Sequence, residues 1–378
     1  MRVLHFFKTA FPDSMGGVEQ VINQIAEGAS RQGIDNTVLS LARIPNRQVT
    51  HLNGYRVCRA PLDFEVASTG FSWSALKWFR TLSRDVDLIH YHFPWPFMDV
   101  AHFLSAVRVP TVVTYHSDIV NQRRLLKLYE PLQNAFLGRV SRIVATSPNY
   151  SRSSPVLHRF AQKTEVIPLG IGKPPSLTGD QLHDWQRRFS GRFFLFVGVL
   201  RYYKGLHSLL EAARGTSYPI VIAGHGPESF ALQARARELN LKNVHFLGSI
   251  SEQDKEALLQ LCYAMLFPSH LRSEAFGVSL LEAAQHGKPM VTCEIGTGTS
   301  YVNLDGETGI IVAPDTPDEL RSAMHYLWEN QDVAAEMGRK AKLRCDEMFA
   351  ADKMVDSYVA LYRRLVAEGR VDPDPTNS

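Results

Sequence analysis

The sequence predicts an α/β fold in which two Rossmann-like domains face a central cleft, and three observations support this prediction. The chain has 378 residues, which suits two domains of about 150–200 residues rather than one large core. Short apolar runs alternate with segments of helical periodicity in both halves, as expected for parallel sheets that helices cover on both faces. A turn-rich stretch at residues 170–179, "GIGKPPSLTG", separates the two halves and indicates a linker.

The first half is predicted to form one domain at residues 1–171. Apolar runs typical of buried strands lie at residues 2–7, 37–42, 87–93, 111–116 and 142–147. A helix is predicted between the first two runs, and Gly33 is suited to end it. The apolar residues of that helix recur at the spacing of one buried stripe: Val18, Val21, Ile22, Ile25, Ala26 and Ala29.

The second half, residues 172–350, is predicted to form a second domain with the same alternation. Its expected strands are "FFLFVGV", "YPIVIAG", "VHFLGSI", "AMLFPS", "PMVTCEI" and "GIIVAP". Two helices are predicted at the end of the chain, at residues 333–348 and at about 351–369, and we expect the last one to pack back on the first domain. Ligands of such sheets bind beyond the carboxyl ends of the strands, so the functional residues are expected in the loops there.

The composition excludes several classes of protein. Hydrophobic residues make up 45% of the chain and charged residues 21%, a balance typical of a folded globular protein. The net charge of +3 is too small to indicate a nucleic-acid partner. Cys58, Cys262, Cys293 and Cys345 lack the spacing of a disulfide framework or a zinc site. The N-terminus enters a strand pattern directly and no apolar stretch is long enough to span a bilayer, so we expect a cytoplasmic location.

One segment, residues 123–163, is locally basic. Glu130 is its single acidic residue, against these basic ones: Arg123, Arg124, Lys127, Arg139, Arg142, Arg152, Arg159 and Lys163. Two interpretations stay open, a solvated surface or a face that meets anionic lipid or a phosphorylated acceptor. The second would make the protein peripheral on the inner face of the cell membrane.

Two strand-to-helix junctions suit an anionic ligand. "FVGVLRYYKG" places Arg201 and Lys204 after a buried strand and just before a helix, where two cations can clamp a pyrophosphate. Gly16 and Gly17 occupy the corresponding junction of the first half, where backbone can approach a ligand closely. Ordinary surface charges and a tight turn are the alternative interpretations.

The stretch "SEAFGVSLLEA" places two carboxylates around an apolar run. We expect Glu274 in the loop after the strand "AMLFPS" and Glu282 in a helix that begins near Gly277. The amides of Phe276, Gly277 and Val278 then lie between two carboxylates. Carboxylates accept hydrogen bonds from sugar hydroxyls and free amides hold phosphate, so the pattern suits a nucleotide sugar. Alternatively, Glu274 only caps the helix and Glu282 is solvated.

Taken together, "EAFGVSLLE", "GVLRYYKG" and the N-terminal "GG" resemble the retaining glycosyltransferases of family 4, which have the GT-B fold. This resemblance implies that Arg201 and Lys204 hold the donor diphosphate and stabilise the departing nucleotide. It implies that Glu274 contacts the transferred sugar and Glu282 the ribose. It further implies that the glycine loop lies near the diphosphate and that backbone around Ile250, after "FLGSI", meets the base.

The segment "EIGTGTSYVN" most resembles the corresponding segment of bacterial mannosyl- and rhamnosyltransferases of lipopolysaccharide O-antigen assembly. It replaces a Gly-Gly-x-x-Glu run that many family members carry. The resemblance favours GDP-mannose, or the related GDP-rhamnose, as donor and a lipid-linked saccharide as acceptor, and UDP-sugars stay open. It implies front-face transfer with retention, without a cofactor or required metal. A nucleotide-sugar epimerase of the same architecture and a non-catalytic nucleotide-sugar or lipid-surface binding module are the alternatives.

Further candidates lie in the first half, at the ends of its strands. In "VVTYHSD", the resemblance places His116 near the C6 hydroxyl of the sugar, and Asp118 follows it on the acceptor side. Trp95 and Phe97 follow a strand end and either line the acceptor site or pack in the core. In "HYH", two histidines share a strand face, but no carboxylate or cysteine spacing completes a metal site.

Overall fold

The computed structural model describes residues 1–43, 48–67, 69–119, 123–177 and 179–371. The chain divides into two compact units. The first unit comprises Met1–Gly170 and the segment that begins at Ala351, and the second unit comprises Ile171–Ala350. This division lies one residue before the predicted boundary between residues 171 and 172.

The first unit is built on an eight-stranded, mostly parallel sheet. Its strands are β1 (Arg2–Phe6), β2 (Asp35–Ala42), β3 (Val49–Leu52), β4 (Tyr55–Pro61), β5 (Phe64–Val66), β6 (Thr69–Phe71), β7 (Leu88–Phe93), β8 (Thr111–Tyr115), β9 (Arg142–Ala145) and β10 (Thr164–Val166). Its helices before residue 170 are α1 (Gly17–Arg31), α2 (Trp73–Leu82), α3 (Pro96–Leu104), α4 (Arg123–Arg139), α5 (Pro148–Ser153) and α6 (Pro155–Arg159). The sheet order is β10-β9-β8-β7-β1-β2-β4-β3, and β5 and β6 form a separate hairpin.

The five strands predicted in this half are confirmed, and the stripe of α1 is buried as its spacing indicates. The chain leaves α1 through Gly33, whose φ of 80° is the left-handed conformation that favours glycine. The segment β3 to β6 was not predicted, because these strands are short or only partly apolar. β3 pairs antiparallel with β4 at the sheet edge, so the sheet is not purely parallel.

The second unit has a six-stranded parallel sheet. Its elements are α7 (Gly179–Arg188), β11 (Phe194–Val197), α8 (Leu206–Ala213), β12 (Ile220–Ala223), α9 (Ser229–Glu238), β13 (Val244–Gly248), α10 (Glu252–Leu261), β14 (Ala264–Phe267), α11 (Val278–Gln285), β15 (Met290–Cys293), α12 (Thr299–Val302), β16 (Gly309–Val312), α13 (Pro317–Glu329) and α14 (Gln331–Met348). The order β13-β12-β11-β14-β15-β16 reverses direction between β11 and β14. This reversal is the topological switch point at which doubly wound sheets bind nucleotides.

The last helix, α15 (Ala351–Val371), belongs to the first unit. It packs so closely on α1 that a Cβ built at Gly28 would lie 2.6 Å from Cγ2 of Val355. Tyr358 and Tyr362 are buried, and their hydroxyls hydrogen-bond with Thr114 Oγ1 at 2.7 Å and His90 Nδ1 at 2.6 Å. The C-terminal helix is therefore part of the core beneath β7 and β8.

Candidate active site

The central feature of the second unit is a buried ion pair between Lys204 and Glu274. The ammonium of Lys204 lies 2.5 Å from Oε2 of Glu274, and each side chain is 10% exposed. The Lys204 ammonium also lies over the ring of Phe267, 4.6 Å from its centroid. The hydroxyl of Ser269 donates to the same carboxylate oxygen at 3.3 Å. A buried charge pair needs such compensation, because desolvation of each ion costs several kcal/mol.

The sheet order explains how two residues far apart in sequence meet. Lys204 lies in the loop after β11 and Glu274 in the loop after β14, and these strands are neighbours at the switch point. Gly205 has φ of 69°, and a Cβ there would lie 1.9 Å from the carbonyl oxygen of Pro268. Only glycine lets the two loops approach this closely.

Arg201 and Lys204, predicted as a pair of diphosphate ligands, differ in their surroundings. Arg201 is exposed at the start of the 3-10 turn Tyr202–Lys204, and no carboxylate in the described part of the chain pairs with it. Lys204 is buried and paired with Glu274. The exposed guanidinium is therefore the group that can meet an incoming anion without first breaking an internal ion pair.

The start of α11 presents the predicted amides. Gly277 caps the helix with φ of 85°, a left-handed conformation, and none of the amides of Phe276, Gly277 and Val278 donates to another described residue. The side chain of Phe276 is buried, 3% exposed, so only its backbone is offered to a ligand. The loop 294–298 packs behind it, since the Gly298 amide donates to the carbonyl of Ala275 at 2.8 Å.

Glu282 does not lie in open solvent, because Lys255 of α10 holds it. The Lys255 ammonium lies 2.7 Å from Oε1 of Glu282, and both side chains are 16% exposed. Burial raises the pKa of Glu282, although the Lys255 ammonium opposes this effect. Ile250 lies just before Ser251, the residue that caps α10. The helix α10 therefore follows the loop at Ile250 and also carries Lys255, the partner of Glu282. Sequence reasoning missed Lys255, since a lysine in an amphipathic helix carries no distinguishing signal.

In the first unit, a buried glutamate shapes the glycine turn before α1. Glu19 is 8% exposed and accepts hydrogen bonds from Thr9 Oγ1 at 2.6 Å and Ser14 Oγ at 2.9 Å. A Cβ at Gly16 would lie 2.5 Å from Oε2 of Glu19, so a larger residue there would have to displace a carboxylate that two hydroxyls hold. Gly16 and Gly17 are both exposed. The first turn of α1 thus already holds a carboxylate that sequence reasoning did not single out.

His116 ends a chain of hydrogen-bonded imidazoles. His116 Nε2 lies 3.1 Å from His92 Nδ1, and His92 Nε2 lies 3.2 Å from His5 Nδ1. Asn36 Oδ1 closes the chain at 3.3 Å from His5 Nε2. Burial lowers the pKa of His116 to about 3 and that of His5 to about 4. These imidazoles are therefore neutral at physiological pH, and the chain is fixed by β1, β7 and β8.

Asp118 is held by hydroxyl groups. Its Oδ1 accepts from Ser154 Oγ at 2.7 Å and Tyr115 Oη at 3.0 Å. Its backbone amide donates to the hydroxyl oxygen of Tyr150 at 2.5 Å. These hydrogen bonds fix the side chain of Asp118, which follows His116 by two residues in the sequence.

Trp95 and Phe97 require a correction. Their exposed fractions are 1% and 5%, and the Trp95 indole donates to the carbonyl of Gly70 at 3.0 Å. Trp95 packs against the rings of Phe6 and Phe97, with centroids 4.8 Å and 5.3 Å apart. These aromatic side chains fill the core, as the packing alternative expected, and do not line an acceptor surface.

Several charges of the basic segment 123–163 are used within the protein. Arg142 pairs with Glu165 at 3.2 Å, and the Lys163 ammonium donates to two backbone carbonyls, of Gly138 and Val140. Arg159 lies 3.7 Å from Glu130. Among the helices described, none unites the length and the hydropathy that crossing a bilayer demands.

The two doubly wound units, with their switch-point loops, have the GT-B fold. A solved structure, sucrose-phosphate synthase from Thermosynechococcus elongatus, shares this fold with a TM-score of 0.81. It is 20% identical, and the match covers 97% of this chain and 99% of that one.

The sequence families agree with this class. The family described as "Glycosyltransferase Family 4" matches residues 15–172, and "Glycosyl transferases group 1" matches residues 183–344. D-rhamnosyltransferase WbpZ of Pseudomonas aeruginosa is 55% identical over 353 residues, 93% of either chain. O-antigen chain mannosyltransferase C of Escherichia coli is 46% identical over 372 residues, 97% of this chain and 99% of that one. The chain belongs to glycosyltransferase family 4.

Proposed function

We propose that this glycosyltransferase moves a hexose, with mannose from GDP-mannose favoured, onto a lipid-linked saccharide during O-antigen synthesis. Two relatives similar over almost their whole length support this substrate class, since one is named a D-rhamnosyltransferase and the other an O-antigen chain mannosyltransferase. Rhamnose from GDP-rhamnose is the second candidate, because the rhamnosyltransferase is the more similar of these two relatives.

The observation that carries the proposal is the Lys204–Glu274 pair at the switch point of the second unit. A donor diphosphate bound beside it would meet the exposed Arg201, the Lys204 ammonium and the free amides at the start of α11. Glu274 would accept from hydroxyls of the sugar. Glu282, whose Oε1 is held by Lys255, would offer Oε2 to the ribose, and backbone near Ile250 would meet the base.

We propose that transfer proceeds with retention and without a required metal. The leaving phosphate would take the proton of the acceptor hydroxyl on the same face of the sugar. Negative charge then develops on the departing diphosphate, where the exposed Arg201 and the buried Lys204 would stabilise it as positive charges. His116 would donate or accept a hydrogen bond as a neutral imidazole in the first unit, where the Gly16–Gly17 turn offers exposed backbone.

We propose that the first unit binds the acceptor, with Asp118 among its polar contacts. A lipid-linked acceptor needs the enzyme at the membrane, so we place it peripherally on the inner face. Lys127 and Leu128 of α4 support this, because Lys127 is exposed and the Leu128 side chain is 81% exposed. A cation beside an exposed apolar side chain suits an anionic lipid surface.

The test incubates purified protein with GDP- and UDP-sugars and a synthetic lipid-pyrophosphate GlcNAc acceptor, followed by mass spectrometry. We expect addition of one hexose from a GDP-sugar, and cosedimentation with liposomes that increases with anionic lipid. Arg201→Ala should reduce turnover more than about 100-fold, because one preorganised charge contact is lost. Arg237→Ala, which removes another exposed arginine of the second unit, on α9, is the matched control and should leave turnover unchanged.

Each alternative gives a different product. An epimerase would change the sugar while it stays on the nucleotide, without any acceptor. A binding module would hold the donor tightly with neither transfer nor hydrolysis. Near wild-type turnover of Arg201→Ala would overturn the role assigned to the guanidinium.

A further inference from the structure

Three metal-ligand side chains meet close to the loops of the donor site. His207 belongs to the first turn of α8, His270 to the loop after β14, and Asp315 to the turn between β16 and α13. One ligand atom of each lies within 4.8 Å of the other two. His207 Nε2 is 3.2 Å and His270 Nδ1 is 3.9 Å from Oδ1 of Asp315.

The unusual member of this cluster is His270. Its side chain is 1% exposed, and neither ring nitrogen has a hydrogen-bond partner among the described residues. Its backbone amide donates to the carbonyl of Tyr203 at 3.0 Å, so the residue is fixed in place. Buried polar side chains almost always have a partner, so the unpartnered His270 ring calls for an explanation, such as a bound ion or water.

The other two members open the cluster to solvent. The side chains of His207 and Asp315 are 42% and 53% exposed, so an ion can enter without a rearrangement of the core. Tyr202 stacks on the His207 ring at 5.2 Å with an angle of 7° between the planes, which fixes the orientation of that imidazole. Asp315 has φ of 55°, a left-handed conformation that aspartate tolerates better than most residues.

A second group of histidines serves as a comparison, because its ring nitrogens are all hydrogen-bonded. His5, His90 and His92 also bring their ligand atoms within 4.8 Å of one another, but they are completely buried. Every ring nitrogen of these three already has a partner, either another imidazole or a side-chain oxygen. That group is explained by its own hydrogen bonds, whereas the His270 ring is not.

We propose that His207, His270 and Asp315 form a binding site for a first-row transition-metal ion of the Zn²⁺ type. Two imidazoles and one carboxylate are the ligand set of such ions, while Mg²⁺ and Ca²⁺ prefer oxygen ligands. Solvent completes the coordination on the exposed side.

The ion would act on the donor site through the backbone. His207 lies three residues after Lys204, and His270 lies four residues before Glu274. A metal bound to both would join the two loops that carry the Lys204–Glu274 pair and fasten them to the turn at Asp315. The ion stabilises the donor loops and is not a ligand of the diphosphate, so it adds to the proposed function without depending on it.

The test measures Zn²⁺ binding to untagged, chelator-treated full-length protein by calorimetric titration, without any sugar donor. We expect one saturable equivalent, a rise in the melting temperature, and with Co²⁺ the visible absorption of a low-coordinate site. His207→Ala and Asp315→Asn should each weaken binding at least tenfold. Both side chains are largely exposed, so these variants should fold, which circular dichroism checks.

The matched control is His183→Ala, which removes an exposed histidine from α7 of the same unit and should bind Zn²⁺ as the wild type does. Absence of saturable binding to the wild type would overturn the proposal. Equal affinity of wild type, His207→Ala and Asp315→Asn would also overturn it, because the ion would then be bound elsewhere. Loss of sugar transfer with intact Zn²⁺ binding would affect only the proposed function.

Discussion

Removal of one partner from the Lys204–Glu274 pair should destabilise the second unit far more than removal of both. Glu274→Gln leaves a buried, charged Lys204 without its carboxylate, at a cost of about 3–5 kcal/mol for a fully buried pair. Each side chain retains 10% exposure, so we expect the lower end, about 3 kcal/mol. The ring of Phe267 lies beneath the ammonium in the wild type and in Glu274→Gln alike, so its cation–π attraction does not replace the lost carboxylate.

The assay is a double-mutant cycle by urea unfolding. It compares the wild type with Glu274→Gln, Lys204→Met and the double variant, by far-ultraviolet circular dichroism. Because the double variant has no unpaired charge, the coupling free energy should be about 2 kcal/mol or more. The control is Glu211→Gln, which breaks the exposed Arg235–Glu211 pair at 2.6 Å and should cost no more than about 1 kcal/mol.

The result that refutes this reasoning is a single variant, Glu274→Gln, as stable as the wild type. It would mean that solvent reaches the Lys204 ammonium freely and that the pair is not buried in solution. Additive single-variant effects would likewise show that the two charges do not interact. Sugar transfer is measured separately, and its rate is not used in the double-mutant cycle.

Two further predictions concern backbone space and pH. In urea unfolding, Gly205→Ala should cost at least about 2 kcal/mol more than Gly215→Ala. Both glycines have left-handed φ, but only a Cβ at Gly205 meets a backbone atom, 1.9 Å from the carbonyl oxygen of Pro268. The buried, neutral His5 and His116 should make stability fall between pH 7 and pH 5, since the unfolded chain binds protons there and the folded chain does not. The expected loss is about 2 kcal/mol for each histidine, and a flat urea midpoint across this range would contradict it.

Much of the proposed donor site consists of patterns that are local in the sequence. A strand followed by cations and Gly205, and carboxylates around a helix start, are patterns within about ten residues, and the structure shows both at strand ends. The alternation of apolar runs also predicted the two sheets and the terminal helices. These patterns depend on backbone periodicity and turn chemistry, which neighbouring residues determine.

Other features had no local signal. Lys255 reaches Glu282 across 27 residues, and nothing in the composition of α10 distinguishes it from a solvated lysine. Trp95 follows a strand end, where core packing was the default expectation and an acceptor surface the alternative, and only the packing around β1 and β6 decided between them. Glu19 was hidden in the same way, as one acid in an amphipathic helix.

By itself, the sequence determined the α/β class, the linker region, the positions of most strands and the residue types at the loops of the proposed donor site. Tertiary structure alone decided that Lys204 is paired while Arg201 is open, and that His270 is buried beside His207 and Asp315. The physical reason is that strand order brings together loops 70 residues apart, and charges acquire their partners only through that order. Burial depends on every layer packed around a side chain. It distinguishes the paired Lys204 from the exposed Arg201.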